Sequence, residues 1–283
     1  MESADQCGLR MLKLEEINKN INTYQQISTE MQEDLRIGNC RAIIGMAEVM
    51  KDQSKFTQRT MSGAMWLTSY FFYKKSYLNY DRFGICIAAL FLCSKIFNEY
   101  IATKYYCESY YKIMFVHRGV IPKPLDEKKL KEIDGKLLKN EALLIELLIT
   151  ECKTLPLHEA VESYSLMDSF LQKLFSSDED ELKKVKKAAI FFLNDSFYTV
   201  ASLVHKPCDV VLACILLGAQ TMNVGYPGKK YYDFKKIKLA MSKDKFDKPS
   251  KYWYKWVNPE IDMENVNEVV TSISNFYTKI SSK

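Results

Sequence analysis

The sequence predicts an all-α protein made of two tandem helical domains behind a helical amino-terminal extension. Three observations carry that expectation. Across 283 residues there are only 10 Gly and 7 Pro, against 47% hydrophobic and 27% charged residues, a composition poor in turns and rich in long packed elements. Apolar residues recur at helical spacing through most of the chain. One apolar run occurs twice: Ile85-Cys-Ile-Ala-Ala-Leu-Phe-Leu-Cys-Ser-Lys95 aligns with Val210-Val-Leu-Ala-Cys-Ile-Leu-Leu-Gly-Ala-Gln220, aliphatic on aliphatic and small on small. Neither copy has a polar face, so each must be a helix enclosed by others. Small residues at Ala88, Ala89, Cys93, Ala213, Cys214 and Gly218 let those neighbours come close.

In chain order, Met11 to Val49 gives two helices, the second starting near Asp34. Ser54 is placed to cap a helix running to about Tyr73, whose broad apolar face includes Met61, Met65, Leu67, Phe71 and Phe72. Asn79 or Asp81 caps the first enclosed helix. Residues 100–135 are less regular, with Gly119, Pro122 and Pro124 marking a loop, before helical character returns from Lys136 to Cys152. Pro156 closes this half. The second half repeats the plan. Leu157 to Leu174 is helical, Ser177 or Asp178 caps a helix reaching Leu193, and Pro207 opens the second enclosed helix. A Lys- and Tyr-rich stretch from Gly225 to Lys255 precedes a last helix, about Met263 to Lys279, with Val266, Val269, Ile273 and Tyr277 in register. The expected divisions are an extension at 1–33 and domains at 34–156 and 157–283.

Several function classes find no support in the residues. There is no Gly-rich phosphate loop, GxSxG, HExxH or Cys/His set with a third orienting group, so no catalytic centre is expected. The eight cysteines have no close pairing and several lie in apolar runs, which reads as reduced intracellular thiols. His205 and Cys208 lack two further ligands at metal-binding spacing, and no metal or other cofactor is expected. The amino terminus lacks the basic start and apolar block of a signal peptide, and the longest apolar run, Phe83 to Cys93, is too short for a membrane span of about 20 residues. The net charge is +5, and only six of the 40 basic residues are Arg, which disfavours a surface built for nucleic-acid recognition.

One polar residue is out of place. Glu146 lies within Ala142-Leu-Leu-Ile-Glu-Leu-Leu-Ile149, where its helical neighbours Ala142, Leu143, Ile149 and Thr150 offer no polar face, so a carboxylate there needs a partner. It is either a structural residue or a docking contact. Lys95, ending the first enclosed helix, is similarly open between complementing the helix dipole and meeting a partner.

The two enclosed small-residue helices, the first ending Leu92-Cys-Ser-Lys95, resemble the cyclin box fold. Asp34-Leu-Arg-Ile-Gly-Asn-Cys40, Phe72-Tyr-Lys-Lys-Ser-Tyr77, Cys93-Ser-Lys-Ile96 and Leu193-Asn-Asp-Ser196 resemble the cyclin L, K and T group, with cyclin L closest. The resemblance implies two five-helix cyclin boxes. It also implies a non-catalytic nuclear subunit that forms a heterodimer with a cyclin-dependent kinase and activates it, in RNA polymerase II transcription or pre-mRNA processing. A Lys and a Glu that grip the kinase in the family match Lys95 and Glu146, and Leu92, Ile96, Thr150, Leu155 and Leu157 fall near that contact. The chain departs from the group at Lys95-Ile-Phe-Asn-Glu99, where a second acidic residue is usual, and at Pro156. Two other readings stay open. One is a nucleic-acid-binding scaffold similar to transcription factor IIB, using the ten lysines between Lys229 and Lys255. The other is a cyclin-fold platform without a kinase.

Overall fold

The computed structural model describes residues 12, 14–121, 124–151, 157–175, 179–225 and 253–282. Among them there are helices and no strands, and the chain divides into two compact units, Met1–Ala160 and Val161–Lys283.

The first unit contains α1 (Leu14–Asn18), α2 (Ile21–Tyr24), α3 (Thr29–Val49), α4 (Gln58–Lys74), α5 (Arg82–Ile96), α6 (Thr103–His117) and α7 (Glu127–Glu151). The first expected enclosed helix is α5. Every residue from Phe83 to Ser94 is buried, and α3, α4, α6 and α7 all pack on it. Removing so continuous an apolar surface from water is the main term holding the unit together. Helices α3, α4 and α5 each start at a side-chain cap: Ser28 accepts from the Met31 N–H, Thr57 from that of Thr60, and Asp81 from that of Phe83. The α4 cap is therefore Thr57 and not Ser54, because the chain between them remains non-helical.

Two stretches are more helical than their patterns suggest. Helix α3 begins at Thr29 rather than near Asp34. The region read as irregular holds all of α6 and the first half of α7. In α6 only Tyr106, Cys107 and Ser109 are buried, so its five aromatic and several polar residues conceal the period. The start of α7 is highly charged and carries its own support, with Glu132 bonded to Lys129 at 2.8 Å and to Lys136 at 2.7 Å. The amino-terminal extension is anchored to this unit through Asn22, which is fully buried. Its amide donates to the Phe72 carbonyl at 2.6 Å and its oxygen accepts from the Tyr77 N–H at 2.8 Å. The Phe72–Tyr77 segment is closed by its own stacked rings, with centroids 4.1 Å apart.

The second unit contains most of α8 (Leu157–Phe175), then α9 (Glu179–Ser196), α10 (Ala201–Val204), α11 (Pro207–Thr221), α12 (Trp253–Val257) and α13 (Met263–Ser281). Helix α11 plays the part of α5: Pro207 starts it, its residues are buried almost throughout, and α9 and α13 pack on it. Gly218 makes the α9 contact possible, since a Cβ there would lie 2.9 Å from the Ala189 backbone nitrogen and 3.1 Å from the Val185 carbonyl oxygen. Asn194-Asp195-Ser196 joins three helices. Asn194 accepts from the Tyr164 hydroxyl of α8 at 2.6 Å, Asp195 accepts from the Tyr277 hydroxyl of α13, and Ser196 donates to the Leu193 carbonyl of its own helix. Burial raises the Asp195 carboxyl above the ordinary range despite the Tyr277 bond. The expected caps Ser177 and Asp178, and the lysines from Lys229 to Lys251, lie outside the described residues.

Candidate functional site

The expected docking residues converge only in part. Lys95 occupies the last turn of α5. Its ammonium forms an ion pair with the Glu141 carboxylate of α7 and stands 4.3 Å from the centroid of the Phe91 ring. The Glu141 side chain is 8% exposed and that of Lys95 is 39% exposed. Lys95 thus neutralises a carboxylate that would otherwise be buried and uncompensated, and it still presents part of its ammonium to solvent. Both groups retain hydrogen-bonding capacity, since an ammonium has three donors and a carboxylate about four acceptor sites.

The carboxylate paired with Lys95 is Glu141, a residue the sequence reading did not single out, and Glu146 lies elsewhere on α7. Five residues of α-helix turn the side chain by about 140°, so the two glutamates face different directions. Glu146 is exposed, and its supposed lack of a polar face is corrected by the structure. Ala142, Ile145, Ile149 and Thr150 are exposed beside it, so this flank of α7 is solvated and the carboxylate needs no buried partner. Glu146 lines a shallow depression of about 130 Å³ together with Phe71, Lys74, Lys75, Leu147 and Thr150. The signal for Glu141 was available in the sequence. Its i−4, i−3, i+3 and i+4 neighbours are Leu137, Leu138, Leu144 and Ile145, a more apolar setting than that of Glu146.

Of the remaining candidates, Ile96 is exposed next to Lys95, and Thr150 is exposed with its hydroxyl donating to the Glu146 carbonyl at 2.8 Å. Leu92 is buried in the core and supports the surface from below. Leu155 lies outside the described residues, and Leu157 opens α8. Ile96 follows Lys95 directly and Ile145 lies one turn after Glu141, and both are exposed. A charged pair beside exposed aliphatic side chains is the composition expected of a protein-binding surface.

The segment that departs from the group after Lys95 ends in a structural contact made by Glu99. The Glu99 carboxylate accepts from the Thr57 N–H at 2.9 Å and from the Thr60 hydroxyl at 2.8 Å, closing the amino terminus of α4. Asn98 adopts φ +58°, and the Glu99 N–H returns to the Ser94 carbonyl at 2.7 Å, which terminates α5 directly after Lys95.

No protein-family model matches the chain, and no curated protein matches it. Among solved structures it is similar to a chain of the yeast RNA Pol II CTD kinase CTDK-1 complex, with a TM-score of 0.58 and 15% identity. The match covers 95% of this chain and 73% of that one. A likeness at this identity is one of fold, and it agrees with an all-α pair of cyclin-box-like units.

The described cysteines offer no reactive thiolate. Cys40, Cys86, Cys93, Cys107, Cys208 and Cys214 are free and buried, and burial pushes Cys40, Cys107 and Cys208 up to about 12. Among the described residues no group of three or more His, Cys, Asp or Glu is placed to hold a metal ion, and no helix is long and apolar enough to cross a membrane.

Proposed function

We propose that this chain is the non-catalytic regulatory subunit of a transcription-type cyclin-dependent kinase, docking through the end of α5 and the exposed flank of α7. The observation that carries the reading is the Lys95–Glu141 pair at the end of an otherwise enclosed helix, with the lysine part-exposed, the glutamate buried, and Ile96 and Ile145 exposed as their helical neighbours. The fold likeness to a chain of a polymerase CTD kinase complex supports the same class of partner.

The mechanism is a shift of population. A kinase with its αC helix displaced cannot pair the αC Glu with the lysine that orients the nucleotide phosphates. A partner that binds the inward arrangement more tightly favours it by that difference in affinity. Here Lys95 would donate to backbone carbonyls next to the kinase αC helix, with Glu141 fixing the direction of the ammonium. Leu92 would support the surface from the core, Ile96, Thr150 and Glu146 would extend it, and Leu155 and Leu157 complete the proposed set. Kinase activation would place the chain in the nucleus, in transcription or RNA processing.

The test is affinity purification of the tagged chain from its native cells, with a kinase assay on a polymerase carboxy-terminal-domain repeat peptide. Recovery of a cyclin-dependent kinase that is lost from the folded Lys95→Met/Glu141→Leu variant supports the proposal. A kinase recovered equally with both proteins removes this surface from the account, and recovery of none removes the function.

A further inference from the structure

The first unit has a cavity of about 320 Å³ between α5, α6 and α7, distinct from the surface around Lys95. It uses Gly84 and Ile87 from the first half of α5, and Lys95 lies about 12 Å beyond Ile87 along the same helix at 1.5 Å per residue. Its floor is apolar and buried, formed by Ile87, Tyr106, Cys107, Ile133 and Leu137. Its size falls at the low end of ligand pockets, suited to one large side chain.

The polar groups at the cavity fall into two sets. Four are already committed within the chain. Asp81 accepts from the Tyr110 hydroxyl at 2.5 Å and from the Phe83 N–H at 3.1 Å, Lys136 is paired with Glu132, and the Tyr106 hydroxyl is bonded to Ser94. The side chains of Asn79, Lys139 and Asn140 have no hydrogen-bond or ionic partner among the described residues. Gly84 keeps the mouth open, since a Cβ there would lie 2.8 Å from the Asn140 amide nitrogen. An apolar floor with a few converging unused polar groups is the composition of a recognition site. The uncommitted charge is a cation.

We propose that this cavity is a second docking site, which takes a peptide segment of a protein partner bearing a large apolar side chain followed by a carboxylate. The apolar side chain fills the cavity, the carboxylate meets Lys139, and the Asn79 and Asn140 amides bond the peptide backbone.

The test uses the full chain and a fluorescein-labelled Gly-Ser-Phe-Asp-Asp-Ser-Gly peptide, read by anisotropy. Versions with Ala for Phe and with Asn for both Asp are run beside it, together with 3-phenylpropionate as a free competitor. Saturable binding of the parent peptide is expected, lost in the Ala version and weakened at least about fivefold in the Asn version and by Lys139→Glu. Lys139 is exposed, so Lys139→Glu should leave the melting temperature unchanged, and Leu143→Trp at the rim should block entry by bulk. The proposal is overturned if the parent peptide does not bind, if neither variant changes its binding, or if 3-phenylpropionate binds the cavity while the peptide does not.

Discussion

Lys95→Met isolates what the ammonium contributes, because methionine keeps most of the side-chain length against Phe91 and removes only the charge. The substitution leaves Glu141 as a buried carboxylate without its counter-ion. Breaking a fully buried pair from one side costs about 3–5 kcal/mol. Because Lys95 is 39% exposed, solvent already screens the pair, and a loss of about 1.5–3 kcal/mol is expected. Glu141→Leu should be milder, within about 1 kcal/mol, since leucine suits the surrounding Leu137 and Leu144 and the freed lysine can turn to water. The double variant Lys95→Met/Glu141→Leu should return close to the parent. The assay is urea unfolding followed by Trp66 fluorescence in a background where Trp253 and Trp256 are Phe, so the first unit is observed alone. If the double variant is as unstable as Lys95→Met, the buried-carboxylate argument is wrong. Lys95→Glu, which sets a second carboxylate against Glu141, is expected to unfold the unit and so cannot report on docking.

Other outcomes follow from the same coordinates. Glu146→Lys, on a solvated face, should change stability by no more than about 0.5 kcal/mol while abolishing kinase association; unchanged association removes Glu146 from the docking set. Gly218→Ala should destabilise the second unit by about 1–3 kcal/mol, because its Cβ meets α9 backbone that cannot move aside like a side-chain tip, and a thermal melt checks this. Asn22→Ala leaves the Phe72 carbonyl and Tyr77 N–H unpaired, costing about 1–3 kcal/mol, and should speed tryptic cleavage after Lys19. Asp195 has a folded pKa raised by burial, so its contribution to stability is full below the ordinary carboxylate range and is lost as pH rises through the raised value. Asp195→Asn keeps an acceptor for Tyr277, so its melting temperature should gain on the parent between pH 4 and pH 7; a gap that does not vary with pH refutes this.

The features legible in the sequence were those written in burial. Two runs without a polar face had to be central helices, and α5 and α11 are. Pro207 and Asp81 announced helix starts through backbone chemistry that needs no tertiary contact. The misses have an equally physical origin. Helix α6 buries so few residues that no apolar period survives, and the first half of α7 is held by ion pairs whose residue types also suit a loop. That Glu141 meets Lys95 turns on which side of α7 faces α5, which depends on how the two helices cross. A linear pattern does not encode that crossing, although the four apolar neighbours of Glu141 were a usable hint. Asn22 could not be foreseen at all, because its partners are backbone groups fifty and more residues away.

The clasp formed by Glu99 bears on the kinetics of assembly. With Asn98 in a left-handed conformation, the Glu99 amide returned to Ser94 and its carboxylate fastened to Thr57 and Thr60, the segment just after Lys95 is already in its final shape. A partner arriving there need not freeze a loop, so little of its binding energy is spent on ordering this side of the contact. Loosening the clasp with Glu99→Ala, which removes the acceptor for Thr57 and Thr60, should therefore weaken association by adding slack to a latch that is built closed.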